Sequence, residues 1–170
     1  SALGAVMVPA SSPIQTLADL KGRKLAVAGG PIDKNWLLVL AWLKRDGIDL
    51  KTDAKIAYGA PPLLTAKMRS GEMDATVNYW NFCAALEANG FRRVAGIEDL
   101  LPKLGAKGRT AMIGYVFDEK WAKANQDKVA RFIAMTRAAK ELLTTSDAEW
   151  DKIAPLTGAP DERAADVASD

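Results

Sequence analysis

Short runs of β-branched and aliphatic residues alternate with longer stretches whose apolar positions recur at helical spacing, a pattern that predicts an α/β fold. Residues 24–28 (Lys-Leu-Ala-Val-Ala) read as a strand closed by Gly29-Gly30-Pro31. Asp33 stands where an N-cap belongs, ahead of a helix expected to reach about Arg45 and to stop at Gly47. That helix is apolar nearly all round from Trp36 to Leu43, so it is expected to pack on more than one side. Residues 55–58 predict a second strand, ended by Gly59-Ala60, and Pro61-Pro62 suit the first turn of a helix running to Arg69. Residues 73–79 predict a third strand, followed by a helix from Asn81 to Glu87 and a stop at Gly90. Residues 91–95 and 110–116 predict a fourth strand and a fifth. Beyond Asp118 the pattern is helical. Val129, Phe132, Ile133, Thr136, Ala139 and Leu143 share one face, and Ser146 is placed to cap a further helix.

The strand–helix alternation from Arg23 to Leu86 implies parallel strands joined by right-handed crossovers. Ligands of such sheets sit beyond the carboxyl ends of the strands. Three loops meet at that edge: Gly29-Gly30-Pro31, Tyr58-Gly59-Ala60 and Asn78-Tyr79-Trp80-Asn81. Their convergence is the main topological pointer to a site. Gly29-Gly30 ahead of a helix lets backbone N–H groups approach a ligand, although the same residues also make a tight turn with no ligand. The order Val27-Ala28-Gly29-Gly30-Pro31 matches neither GxGxxG nor GxxxxGK[ST], which excludes the common nucleotide loops. Asp33, as a cap, occupies the first donors of its helix and adds a negative charge. A cationic or hydroxylated ligand is the sharper reading of that residue. Asn78 and Trp80 bring an amide and an aromatic wall suited to a small organic ligand, against the alternative that Tyr79 and Trp80 merely close the core.

Composition narrows the chemistry. The sequence has 170 residues and no histidine, which excludes Ser-His-Asp triads, Cys-His dyads and metal sites with imidazole ligands. The single Cys83 leaves no internal disulfide, CxxC pair or thiolate cluster, and its neighbours Phe82, Ala84, Ala85 and Leu86 mark it as a core residue. These counts leave no imidazole- or thiolate-based catalysis or metal binding to be expected. Lys+Arg number 23 and Asp+Glu 21, a net charge of +2 with no long basic run, so no nucleic-acid partner is expected. Trp36–Leu43, eight residues, is the longest apolar run, far short of the roughly 20 that span a bilayer. Glu72 with Asp74, and Lys103, Lys107 and Arg109, read as solvated turn and loop residues. The opening Ser1–Pro9 reads like a strand already under way, and the polar end at Asp170 carries no cap. Both suggest a piece of a longer protein.

Three segments carry a family resemblance. Pro13-Ile-Gln-Thr-Leu-Ala-Asp-Leu-Lys-Gly-Arg-Lys-Leu-Ala-Val-Ala-Gly29 resembles the "P-I-x-x-l-x-D-L-K-G" segment of ABC-importer substrate-binding proteins, in the sulfonate/nitrate/taurine and thiamine-precursor group. Gly71-Glu-Met-Asp-Ala-Thr-Val-Asn-Tyr-Trp80 is similar to that group's "G-x-v-D-A-x-x-x-W" strand. Residues Phe117 to Phe132 resemble its "f-x-x-x-n-P-e-x-v-x-x-f" helix, with Gln126 in place of proline.

The resemblance implies a type II periplasmic-binding-protein fold: two α/β lobes that close on a ligand by hinge motion, one a Rossmann-like lobe with a mostly parallel five-stranded sheet that includes the crossing hinge strands (4–9 and 110–116). Residues 1–14 would be a crossing strand and hinge, 15–108 the second lobe, 109–117 the return hinge strand, and 118–170 helices of an incomplete first lobe. It implies ligand contacts at Gly29, Gly30, Pro31, Asp33, Tyr58, Gly59, Ala60, Asn78 and Trp80. It also implies a small-molecule ligand, an ABC permease as membrane partner, no catalytic residues, metal ligands or cofactors, and a periplasmic or otherwise extracytoplasmic, membrane-tethered location. Anion-binding members often carry a hydroxyl residue at the helix start, where this chain has Pro31, Ile32 and Asp33. Two alternatives share related folds, a thiamine-pyrimidine synthase and the effector-sensing domain of a transcription regulator.

Overall fold

The computed structural model describes residues 3–108, 110, 111 and 113–156. Its centre is a five-stranded sheet built from β1 (Gly4–Pro9), β2 (Lys24–Ala28), β3 (Lys55–Gly59), β4 (Ala75–Tyr79) and β5 (Phe91–Gly96). The spatial order is β3-β2-β4-β1-β5. β2 pairs in parallel with both β3 and β4, and β1 lies antiparallel between β4 and β5. Four strands therefore point one way and β1 opposes them, so the sheet is mostly parallel, as expected.

Alternation along the strands sends side chains to two layers. Val6, Val8, Leu25, Val27, Ala75 and Val77 form one face and pack on Trp36, Val39 and Leu43 of α1 (Lys34–Lys44). Ala5, Met7, Ala26 and Ala28 form the other face, under Leu64 and Met68 of α3 (Pro61–Arg69) and Cys83 and Leu86 of α4 (Trp80–Glu87). Between α1 and β3 the short α2 (Leu50–Asp53) buries Leu50, and α5 (Leu100–Lys103) after β5 buries Leu100. The small alanines on the second face leave room for α3 and α4 to approach the sheet closely. Helix α1 packs on more than one side, as expected: it touches β4, α5 and the 3₁₀ turn over Leu17–Leu20. Leu38, Leu40 and Trp42 pack on the core as partly buried residues, and Leu37 stays 45% exposed.

The Pro13–Gly29 segment has a plain structural role. Thr16 and Gln15 donate backbone N–H bonds to Asp19 Oδ2 at 2.8 and 3.0 Å, and these bonds hold the Asp19 carboxyl below the usual range. They fix a 3₁₀ turn over Leu17–Leu20 that drops Leu17 and Leu20 into the core. Lys21 pairs with Asp53 at 3.6 Å, and the Gly22 N–H donates to the Asp53 carbonyl, so the turn delivers the chain into β2. Arg92 on β5 closes the loop before it, donating to the carbonyls of Ser12 and Ile14 at 2.9 and 2.6 Å.

Two boundaries differ from the sequence expectation. β4 begins at Ala75 rather than Met73, because the Asp74 carboxylate turns back to accept the Lys24 N–H at 2.8 Å. No strand forms among the described residues of the 110–116 segment; Arg109 and Met112 lie outside them. Ile113, Tyr115 and Val116 are 59%, 62% and 93% exposed, and a strand without a neighbour has no ladder to form. β1, and not this segment, supplies the fifth strand of the sheet.

The remaining helices are α6 (Glu119–Ala124), α7 (Gln126–Thr145) and α8 (Asp147–Ile153), and none of them buries a residue. Asp118 caps α6 by accepting the Trp121 N–H at 2.8 Å, and Ser146 stands at the N-cap position of α8. Tyr115, Phe117, Trp121 and Phe132 collect into one aromatic group with ring centroids 4.8 to 6.0 Å apart. Among the described residues no helix is long and apolar enough to cross a membrane.

Candidate functional site

The connections around β2 and β4 diverge. β2 leads into α1 on one face of the sheet, whereas β4 leads into α4 on the other. Neighbouring parallel strands whose connections part in this way open a crevice at their carboxyl ends. The loops expected to converge there do so.

The turn after β2 runs through Gly29 and Gly30, with φ of +81° and +105°, backbone that side-chain-bearing residues rarely adopt. Gly29 is held to the neighbouring loop by its N–H, which donates to the Gly59 carbonyl at 3.3 Å. Gly29, Gly30, Tyr58, Gly59, Ala60 and Pro61 line a pocket of about 430 Å³. No charged side chain is among these lining residues.

Asp33 caps α1 as expected. Its Oδ1 accepts the N–H groups of Asn35 and Trp36 at 2.9 and 3.3 Å. Its Oδ2 accepts the Tyr79 hydroxyl at 3.0 Å, a contact spanning the crevice between the β2 and β4 loops. Burial, and then the bond to Asp33 and its charge, push the Tyr79 phenol above its ordinary value, so the hydroxyl remains a donor. Gly29 is required for that contact. A Cβ at this position would stand 2.3 Å from Tyr79 Oη and 2.9 Å from Asp33 Oδ2.

The other expected residues divide by exposure. Tyr58 and Trp80 are 41% and 44% exposed, Pro31 is exposed, and Ile32 and Leu63 beside these loops are 84% and 55% exposed. Asn78 is fully buried. Its Nδ2 donates to Thr65 Oγ1 at 3.2 Å and its Oδ1 accepts the Tyr79 N–H at 2.9 Å. The amide thus ties the end of β4 to α3 and sets the position of Tyr79. Tyr79 and Pro61 were not among the expected contact residues. The signal for Pro61 was its place directly after Tyr58-Gly59-Ala60; the Tyr79–Asp33 bond joins positions 46 apart and has no local signal.

Donor groups at this edge are unevenly distributed. The first N–H groups of α1 are taken by Asp33, and α3 starts with Pro61 and Pro62, which have none. Helix α4 starts at Trp80 without a side-chain cap.

Cys83 on α4 is buried against the carbonyls of Ala5 and Asn78. Desolvation pushes its thiol up to about 12. Native protein at pH 8 is therefore expected to resist alkylation by iodoacetamide, with labelling followed by mass spectrometry rising in step with urea unfolding. Rapid labelling of folded protein would contradict the buried position.

The sequence profile of the NMT1/THI5-like family matches residues 1–148. This chain belongs to that family. It is also 31% identical over 141 residues to an aliphatic sulfonates-binding protein of Escherichia coli (strain K12), a match covering 80% of this chain and 42% of that one. Two solved structures align over nearly all of it. The alkanesulfonate-binding protein SsuA from Xanthomonas axonopodis pv. citri, bound to MOPS, superposes with a TM-score of 0.72 at 25% identity, covering 98% of this chain and 55% of that one. The periplasmic aliphatic sulphonate binding protein SsuA from Escherichia coli gives 0.73 at 26%, covering 97% and 52%. The chain therefore spans about half the length of these relatives. The type II periplasmic-binding-protein fold is that of the SsuA structures.

Proposed function

We propose that this chain is one lobe, with helices of the other, of a solute-binding protein serving an ABC importer. It captures a small sulfonate-type organic solute beyond the carboxyl ends of β2, β3 and β4, hands it to a membrane permease, and catalyses no reaction itself. The observation that carries this reading is the glycine-lined pocket at the crevice, in a chain whose fold and family are those of sulfonate-binding proteins. The site residues in this reading are Gly29, Gly30, Pro31, Asp33, Tyr58, Gly59, Ala60 and Trp80, with Asn78 holding the β4 loop in place. The location that fits is extracytoplasmic, since the relative from Escherichia coli is described as periplasmic.

In the same reading, residues 1–14 and 109–117 link two lobes, 15–108 form one lobe, and 118–170 belong to the other. Helices α6 to α8 support this division because they bury nothing. Met135 and Leu142 on α7 are 71% and 49% exposed, as expected of a face that packs on further chain.

Calorimetric titration of the protein in its natural full length with a series of linear alkanesulfonates tests the proposal. Saturable one-to-one binding of at least one member is expected. Absence of heat and of thermal stabilisation across the series would overturn the sulfonate reading.

A further inference from the structure

Ala60 and Pro61 give the pocket one of its walls, yet the start of α3 has little of its own to hold it in place. Ala60 stands at the N-cap position without a side-chain cap, and Pro61 and Pro62 have no N–H to donate. Leu64 packs α3 on Ala26 and Ala28 of the sheet. Apolar contact of that kind brings helix and sheet together but has no direction. On the side of β2 the wall is fastened by the Gly29 N–H, which donates to the Gly59 carbonyl at 3.3 Å.

On the side of β4 the directional contact comes from Thr65, one turn into α3. Thr65 is 7% exposed and is not among the residues lining the pocket. Its hydroxyl donates to the Pro61 carbonyl at 2.8 Å. With its proton engaged there, the same oxygen accepts the Asn78 Nδ2–H at 3.2 Å. Asn78 is fully buried, and its Oδ1 accepts the Tyr79 N–H at 2.9 Å. Thr65 thus joins Pro61 in the pocket wall to the end of β4. Without the Thr65 oxygen the buried amide keeps only a long contact, 3.5 Å from Nδ2 to the Pro61 carbonyl.

We propose that Thr65 is a positioning residue for solute binding, whose hydroxyl holds the Ala60–Pro61 wall in the geometry that the solute meets. This rests on the reading of the pocket as a solute site and adds to it a residue that acts from behind the lining. When the hydroxyl is removed, the wall is free to shift in the empty protein. The solute must then order the wall as it binds, and affinity falls by up to the worth of one buried hydrogen bond.

The test is calorimetric titration of the protein in its natural full length with linear alkanesulfonates, comparing wild type with Thr65→Val, Thr65→Ala and Thr65→Ser. Valine keeps the shape of threonine, alanine cannot crowd α3, and serine keeps the hydroxyl. Gly71→Ala, strained at φ +75° in the turn between α3 and β4, is a destabilised control away from the pocket. Circular dichroism confirms that each variant is folded. The valine and alanine variants are expected to bind about fivefold more weakly, while Thr65→Ser and Gly71→Ala stay within about twofold of wild type. Wild-type affinity without the hydroxyl, a serine variant as weak as the alanine one, or equal weakening in Gly71→Ala overturns the positioning role and leaves the solute reading standing. Failure of wild type to bind any of the alkanesulfonates overturns both.

Discussion

Replacing Trp36 by alanine is expected to remove about 3–5 kcal/mol of stability, the range for truncating a large buried aromatic residue. Trp36 is fully buried in the first turn of α1 and belongs to the cluster that joins this helix to β1, β2 and β4. It is the largest side chain in that layer, so neighbours cannot collapse into the space it leaves. Domains of this size hold roughly 5–15 kcal/mol in all, and the loss would take a large share of it. The indole N–H has no hydrogen-bond partner among the described residues. Trp36→Phe therefore keeps most of the packing and releases an unsatisfied donor, and should cost far less than the alanine variant. Urea unfolding monitored by circular dichroism measures both. An alanine variant as stable as the phenylalanine one would show that α1 is not anchored through this residue.

Gly29→Ala is expected to have the largest effect on binding. Two terms act together. The left-handed backbone at φ +81° costs a non-glycine residue about 1–2 kcal/mol, and the new Cβ displaces the Tyr79 hydroxyl from Asp33. Gly71→Ala separates them, because Gly71 has φ of +75° and nothing within 4 Å of its Cβ position, in the turn between α3 and β4. Both variants should lose similar stability from the backbone term. Only Gly29→Ala should weaken solute binding, by about tenfold or more. Equal affinity in the two variants would remove Gly29 from the site.

Much of this was legible along the chain because its causes are local. Asp33 caps α1 through bonds to residues two and three positions away, and Gly29-Gly30 turn the chain by backbone conformation alone. The three loops of the crevice followed from strand–helix alternation, since parallel strands place their following loops at one edge. What escaped depends on partners distant in sequence. β1 is inserted between β4 and β5 in the opposite direction, through pairings such as Val6 with Val77 and Val8 with Arg92 that no local pattern encodes. The 110–116 segment shows the converse. Ile113, Tyr115 and Val116 look like a strand because apolar and β-branched residues favour one, but pairing needs a neighbour and none is present among the described residues.

The site divided in the same way. Gly29, Gly30, Tyr58, Gly59 and Ala60 share the lining of one pocket because they follow neighbouring parallel strands. The Asn78 amide, suited by type to a ligand, turns inward to Thr65, because alternation along β4 sends it to the same face as Thr76. Tyr79, one residue on, makes the crevice contact instead.

The central claim is that a solute binds against the loops following β2 and β3. Hydrogen exchange read by mass spectrometry on the protein in its natural full length, with and without a saturating alkanesulfonate, tests it most directly. Peptides covering Gly29–Asp33 and Tyr58–Pro61 should gain protection on ligand addition, while the turn at Ser70–Glu72 at the far edge of the sheet should not change. Ligand binding that leaves the Gly29–Asp33 and Tyr58–Pro61 peptides exchanging at their unliganded rates would contradict it.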